Sequence, residues 1–229
     1  DQAWTDPRMK HRAPNVVILL NRFDMITRWV QTVILTEKSL QERLAKMRFL
    51  IEVMIELEKI QNYLDYMSIF HGFMAPCIRR LQLHKSKLPG KIQNELENAE
   101  KNESFDNNSQ AIRDIHTKCF NSHEPFFVIL LKDIHNYEET KTFIDGLINI
   151  RKCTRKFELI KEVEKFKKYK YCFLPVEQIA DKLSANALNE ISLDDDTLDE
   201  LSNECEPPDA IDENQLLDIK LLFYLYCLY

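Results

Sequence analysis

Glycine is scarce in this chain: 3 of its 229 residues are glycine, and 8 are proline. All-β folds need many tight turns, and those turns draw on glycine because it adopts positive φ without strain. A long apolar run is also missing, since the longest uninterrupted one, from Leu221 to Tyr229, is too short to cross a bilayer. These absences predict a helical protein without a membrane span. The apolar fraction of 45% is enough to bury a sizeable core.

The signatures of several chemistries are absent as well. No two of the six cysteines lie within four residues of each other, so zinc-type spacing is lacking. There is no glycine-rich phosphate loop, no GxSxG and no HExxH, and the six histidines are scattered. The net charge of −6 argues against a nucleic-acid partner. We therefore expect an intracellular protein with reduced cysteines, no metal and no cofactor, while the spacing leaves open a Cys/His nucleophilic pair from distant segments.

The first part of the chain carries a clear helical period. From Asn15 to Thr36, apolar residues recur at steps of three and four, as they do on one face of a helix. Ser39 and Glu42 form a capping box, which predicts a second helix that ends near Asn62. The pattern predicts further helices at residues 64–73 and 75–80.

The most apolar stretch before the C-terminus is FFVILL, residues 126–131. Alone, it is compatible with a buried strand. No partner strands are visible elsewhere, so we expect the start of a helix that runs toward Tyr137. A polar connection over residues 138–146 and a long amphipathic helix over residues 147–169, densely basic on one side, are expected to follow.

The remaining segments are polar or acidic. Residues 91–109 predict an exposed helix followed by a loop. Pro175 suits the start of a short helix that ends at Leu183, and residues 190–213 are acidic. Because no internal repeat is evident, the sequence predicts an all-α, irregular orthogonal bundle.

Three groups of short motifs, in order along the chain, carry a family resemblance. The first comprises Pro14-Asn15, Phe23-Asp24 and Trp29-Val30. The second comprises Ile60-Gln61-Asn62-Tyr63 and Arg80-Leu81. The third comprises Pro125-Phe126-Phe127, Leu131-Lys132-Asp133-Ile134, Glu138-Glu139, Gly146-Leu147-Ile148-Asn149 and Lys152. Together they resemble the catalytic domain of Ras-type guanine-nucleotide exchange factors, and the resemblance extends over residues 1–208.

This resemblance implies an all-helical domain with a protruding helical hairpin, formed by residues 126–137 and 147–169. Such a domain binds a Ras-family small GTPase, inserts the hairpin beside the nucleotide and accelerates GDP release so that GTP can load. It performs no covalent chemistry, so it is not an enzyme in the usual sense. A catalytically inactive homologue that acts as an interaction scaffold is the alternative, because Val128 replaces a family glycine and Thr154 a common basic residue.

The resemblance also implies roles for individual residues. Glu139 matches an acidic residue that reaches the phosphate loop of the GTPase, His135 faces the Mg²⁺ site, and Lys132 belongs to the same wedge helix. An apolar pocket for an aromatic switch II residue of the GTPase is implied at Leu20, Met54, Phe126 and Phe127. GTPase contact or hairpin support is implied at Gln61, Asn62, Asn149 and Lys152.

Simpler interpretations stand beside these roles. Glu139 could be a solvated carboxylate, and Phe126 and Phe127 could be core residues. Gln61-Asn62 could cap the end of a helix, and the basic face of residues 151–168 could be solvated or lie near anionic membrane lipids. The sequence thus predicts a cytoplasmic protein with peripheral membrane contact as an open alternative.

The C-terminal segment, residues 209–229, is predicted to be a separate apolar helix. It resembles a helix that family members normally carry upstream of the equivalent of Trp4. We expect it to pack near Trp4, with a partner-binding or membrane-touching tail as the alternative.

Overall fold

The structure is a computed structural model that describes residues 3–102, 127–166 and 171–207. Its described part is mostly helical, with one 3₁₀ helix at Lys10–Arg12 and a small two-stranded sheet. The first six helices are α1 (Pro14–Leu35), α2 (Leu40–Lys59), α3 (Tyr63–Met74), α4 (Pro76–Arg79), α5 (Gln82–Ser86) and α6 (Gly90–Asn102). The later elements are α7 (Phe127–Glu139), β1 (Phe143–Ile144), β2 (Leu147–Ile148), α8 (Ile150–Phe166), α9 (Glu177–Lys182), α10 (Ala185–Ile191) and α11 (Asp195–Cys205).

Helix α1 confirms the predicted period. Pro14 occupies its first turn, where the missing N–H has no helical acceptor to lose. Val30 and Ile34 are fully buried on its inner face. That face packs on α3, where Gly72 lets the two backbones approach closely.

Helix α2 confirms the predicted capping box. The Ser39 hydroxyl accepts a hydrogen bond from the Glu42 N–H at 3.2 Å, and the Glu42 carboxylate accepts one from the Ser39 N–H at 3.1 Å. Two of the N–H groups at the helix start are thereby satisfied. The helix buries Met47, Leu50, Ile51 and Met54.

The core is centred on α3, whose Phe70 and Phe73 are fully buried. Helices α1, α2 and α4 pack around it. Leu188 of α10 and Leu198 of α11 complete the same cluster from the C-terminal part of the chain. Leu198 lies in residues 190–213, which the sequence marked as acidic, so that segment supplies a core residue.

Two predicted features differ in the structure. The connection after α7 contains the antiparallel pair β1–β2, so the fold is not purely α-helical. Asp145 and Gly146 between the strands have φ of 50° and 79°, the left-handed pair that a type I′ turn requires. Because residues 147 and 148 form β2, helix α8 begins at Ile150 rather than at residue 147.

No secondary structure was predicted for the acidic residues 190–213. Two helices, α10 and α11, occupy most of residues 185–205. Several predictions lie outside the described residues: the place of Phe126, the polar loop before it, the end of the long helix at 169, and the helix over 209–229.

Candidate functional site

The unit formed by α7, the β1–β2 pair and α8 contains most of the expected site residues. Helices α7 and α8 pack against each other, and Ile129 of α7 joins the main core. The unit therefore presents the end of α7 on a support that α8 provides. We call residues 127–166 the α7–α8 unit.

Lys152 of α8 makes three side-chain hydrogen bonds at the end of α7. Its side chain is 5% exposed. The ammonium donates to the carbonyl oxygens of Glu138 at 3.0 Å and Thr140 at 2.6 Å, and to the Thr142 hydroxyl at 3.2 Å. The last carbonyls of a helix lack helical donors and carry partial negative charge, so a buried cation there is stabilising. Lys152 thus caps the C-terminal end of α7.

Glu138 is held by two lysines of α8. Its carboxylate lies 3.7 Å from Lys152 Nζ and bonds the Lys156 ammonium. The hydrogen bond from Lys156 lowers the pKa of the Glu138 carboxyl to about 2 from its ordinary value of 4.5. Glu138 is therefore an ionised, internally paired carboxylate across the physiological pH range.

Glu139 differs sharply from its neighbour. Its side chain is 70% exposed, at the very end of α7. The ring of His135, one turn earlier and 47% exposed, lies 4.0 Å from its carboxylate. Helix α7 therefore presents an accessible carboxylate and imidazole on one face, while Lys132, another turn back, is half-buried.

Asn149 caps the start of α8. Its side-chain carbonyl accepts from the Lys152 N–H at 3.2 Å, and its amide donates to the Lys141 carbonyl at 3.0 Å. Its backbone N–H donates to the Thr142 carbonyl at 2.9 Å. Asn149 and Lys152 thus both form hydrogen bonds to residues 140–142, in the connection between α7 and α8.

The connection itself exposes apolar side chains. More than half of the surface of Phe143, Ile144, Leu147 and Ile148 is accessible, as is that of Phe157 and Ile160 on α8. Several exposed apolar side chains in one unit are typical of an interaction surface. Arg151, Arg155 and Lys161 are exposed on the same helix, so the basic face exists, and its contact with lipid stays a prediction.

Gln61 and Asn62 form the junction between α2 and α3. Gln61 has φ of 59°, and the N–H groups of Gln61 and Asn62 donate to the carbonyls of Glu58 and Leu57, each at 2.9 Å. This is a Schellman motif, which satisfies the last carbonyls of α2. Asn62 also caps α3 by accepting from the Asp65 N–H at 3.0 Å. The helix-cap interpretation of the pair is confirmed, and contact with a partner stays a prediction.

Met54 lies at a cavity of about 290 Å³ between α2, α3 and α6. Met54, Ile55, Tyr66 and Ala99 line it together with the polar residues Glu58, Glu95, Asn98 and Lys101. Burial, and then the charge of Glu95, raise the pKa of the Glu58 carboxyl. Leu20 and Phe127 do not line this cavity, and both are half-buried elsewhere in the described chain.

The structure thus brings Glu139, His135, Asn149 and Lys152 into one unit, and it places Gln61, Asn62 and Met54 on the main bundle. Sequence reasoning missed the pairing of Glu138 with Lys156. Glu138 lies on α7 and Lys156 on α8, and the spacing of the two residues in the sequence does not show that their side chains meet. Within the described ranges, no group of three or more His, Cys, Asp or Glu residues could hold a metal ion. No helix among those residues is long and apolar enough to cross a membrane.

A family model for the RasGEF domain matches residues 1–154. The chain therefore belongs to the RasGEF domain family. Proteins of this class regulate small GTPases and are not classical enzymes.

Individual relatives agree with this assignment. The chain is similar to Ras guanine nucleotide exchange factor J of Dictyostelium discoideum, with 30% identity over 192 residues, which is 83% of this chain and 24% of that protein. Factor I of the same organism shows 30% identity over 83% of this chain and 23% of its own length. Human Rap guanine nucleotide exchange factor-like 1 shows 27% identity over 75% of this chain and 26% of that protein. The chain spans about a quarter of the length of these relatives.

Proposed function

We propose that this chain is a guanine-nucleotide exchange factor that binds a Ras-family small GTPase and accelerates GDP release. The observation that carries the proposal is Glu139, an exposed carboxylate at the end of a helix whose last turn is anchored by a buried lysine. A carboxylate in that position can compete with phosphate for the phosphate-loop lysine of the partner, by the charge complementarity that otherwise holds phosphate.

In this proposal the α7–α8 unit is a helical hairpin and α7 is the wedge. The factor binds the nucleotide-free GTPase more tightly than the loaded one, so binding shifts the partner toward the empty state. His135 lies on the same exposed face as Glu139. A protonated imidazole there would repel Mg²⁺, whose loss weakens nucleotide binding.

The remaining contacts are proposed on the main bundle. Met54 and its cavity receive an apolar side chain of the GTPase, while Leu20 and Phe127, which do not line this cavity, are further candidate contacts. Because Glu58, Glu95 and Lys101 all line the cavity, charges of both signs lie there, and complementary charges on the partner help to select it. Gln61, Asn62 and Asn149 hold the two parts of the surface in place.

The test is a panel of Ras-type and Rap-type GTPases loaded with fluorescent GDP, because the relatives carry both names. The parent chain should accelerate release from at least one member. Glu139→Ala should slow that release at least about tenfold, which corresponds to roughly 1.4 kcal/mol of the activation barrier. Glu164→Ala, an exposed carboxylate on α8, is the matched control and should exchange like the parent.

Two outcomes would contradict parts of the proposal. If Glu139→Ala exchanges as fast as the parent, the wedge role of α7 is wrong. If the parent binds a GTPase without accelerating release, the chain is a scaffold, the alternative that Val128 and Thr154 favour as departures from the family pattern.

A further inference from the structure

The contacts of Lys152 are arranged around one residue. Its ammonium binds the carbonyl oxygens of Glu138 and Thr140, the residues on either side of Glu139. The third donor reaches the Thr142 hydroxyl, in the connection that follows. A single buried cation therefore fixes the backbone before and after Glu139 and leaves the Glu139 side chain in solvent.

The cation has little capacity left for a partner protein. An ammonium has three N–H donors, and three acceptors lie within 3.2 Å of Nζ. The Glu138 carboxylate at 3.7 Å balances its charge. A side chain so buried and so fully engaged acts inside its own chain.

We infer that Lys152 is a positioning residue for exchange: it holds the Glu139 backbone in the orientation in which the carboxylate can reach the GTPase, and it makes no GTPase contact of its own. This inference rests on the proposed exchange activity and replaces a direct binding role for Lys152. Asn149 supports it, since it ties the Lys141 and Thr142 carbonyls to the start of α8.

A tie of this kind matters because the last carbonyls of a helix have no partner within the helix. The last turn of α7 would otherwise end in carbonyls exposed to water, with Glu139 free to fray. Misplacing a catalytic group by about 1 Å can cost about a hundredfold in rate. A buried tie on both neighbours of Glu139 prevents that loss.

The experiment uses the full chain and the variant Lys152→Met, which keeps most of the length of the side chain and removes its charge. Lys161→Met, an exposed lysine of the same helix, is the matched control. Hydrogen–deuterium exchange is measured first, without any GTPase, on peptides that cover residues 138–149. We expect faster hydrogen exchange in Lys152→Met at the amides of Thr140 and Asn149, and parent-like hydrogen exchange in Lys161→Met.

The second measurement is GDP release at increasing concentrations of factor. Lys152→Met should lower the maximal rate by about tenfold to a hundredfold and change the half-saturating concentration little. In the Glu139→Ala background, Lys152→Met should not lower the maximal rate further, because both substitutions remove the same interaction with the GTPase.

The outcomes separate the inference from the activity on which it rests. If the parent accelerates release from no GTPase, the proposed function fails, while the hydrogen-exchange comparison still decides whether Lys152 ties the connection. If Lys152→Met raises the half-saturating concentration at an unchanged maximal rate, or if its effect adds to that of Glu139→Ala, Lys152 contacts the GTPase and the inference is wrong.

A milder variant covers the case in which Lys152→Met does not fold. Thr142→Val removes one of the three acceptors at an exposed position. It should give a smaller increase in amide exchange over residues 138–149 and a smaller fall in the maximal rate. Parent-like values of both quantities in this variant, with a folded protein, would overturn the tie through Thr142.

Discussion

At the scale of single residues, Gln61 shows how local geometry and partner binding can be separated. It adopts φ of 59°, a conformation that costs an L-residue about 1–2 kcal/mol and that glycine adopts freely. The Schellman motif needs this conformation whatever the side chain is. Any contribution of the Gln61 side chain to partner binding is therefore independent of its backbone role.

Gln61→Gly is expected to leave the free energy of unfolding unchanged or to raise it by up to about 1 kcal/mol, because it relieves the left-handed strain. If Gln61 also contacts the GTPase, the same variant should exchange more slowly. Urea denaturation followed by circular dichroism gives the first quantity, and fluorescent GDP release gives the second.

The matched control is Ala45→Gly, at an exposed position inside α2. Glycine in a helix interior costs about 1 kcal/mol relative to alanine, so this variant should be less stable. A Gln61→Gly variant that loses as much stability as Ala45→Gly would show that the Gln61 side chain stabilises the junction.

Sequence reasoning reached some of these residues because their signals are local. Ser39 and Glu42 lie three residues apart, and a capping box needs nothing more. Lys152 was found through a motif, but its burial was not, because that depends on how α8 packs against α7. The pairing of Glu138 with Lys156 spans 18 residues and two helices, so no local pattern encodes it.

At the scale of elements, helices α1 and α3 pack closely against each other at Gly72. A Cβ atom on Gly72 would lie 2.6 Å from both Cβ and Cγ1 of Val30. Such distances are well inside van der Waals contact, so the two helices would have to move apart. Gly72 thus sets the depth to which α3 enters the bundle.

Gly72→Ala is expected to destabilise the fold by about 1–3 kcal/mol, since overpacking of a core costs this much and outweighs the roughly 1 kcal/mol that alanine gains in helix propensity. Gly90→Ala is the control, because a Cβ there would meet nothing within 4 Å. Chemical denaturation of the parent and the two variants measures these differences, and a Gly72→Ala variant as stable as Gly90→Ala would contradict the close contact.

The longer elements followed from their periodicity, while β1, β2, α10 and α11 were not predicted. The sequence Phe-Ile-Asp-Gly-Leu-Ile carries a strong hairpin signal, a Asp-Gly pair between apolar residues. Residues 138–146 were predicted only as a polar connection, and in the described part of the chain the two strands have two residues each and belong to no larger sheet. Helices α10 and α11 have capping residues at Ser184 and Asp194, which local reading could have used.

At the scale of the whole molecule, the fold continues beyond the residues that the family model matches. Arg22 and Arg28 of α1 donate to the Leu183 and Leu193 carbonyls, 161 and 165 residues away. Arg80, which is buried, donates to the Ser202 carbonyl at 2.7 Å. The beginning of the bundle is thus tied to its C-terminal helices by buried or half-buried hydrogen bonds.

Glu206 adds a second tie at the end of α11. Its buried carboxylate accepts from the backbone N–H groups of Leu83 and His84 at 3.2 and 2.8 Å. The His84 ring also bonds this carboxylate through Nδ1, and its Nε2 accepts from Arg43 at 2.9 Å. The ring is therefore held as the Nδ1–H tautomer between a cation and an anion. Such long-range ties join distant parts of the sequence, and local patterns could not predict them.

These contacts predict that the described bundle unfolds as one cooperative unit that includes α11. Leu198, at 1% exposure, packs in the same cluster as the α1 and α3 residues. Leu198→Ala should therefore lower the free energy of unfolding by about 2–5 kcal/mol, because it removes a fully buried side chain and leaves a cavity.

The measurement combines two probes that report on different parts of the chain. Trp4 and Trp29 follow the N-terminal part by fluorescence, and circular dichroism follows all helices. In Leu198→Ala both probes should shift to the same lower melting temperature, while Ile191→Ala, at a position 47% exposed, should shift neither by more than a small amount. If the fluorescence transition keeps the parent temperature and circular dichroism alone changes, the C-terminal helices unfold separately, and the ties through Arg80 and Glu206 do not couple them to the core.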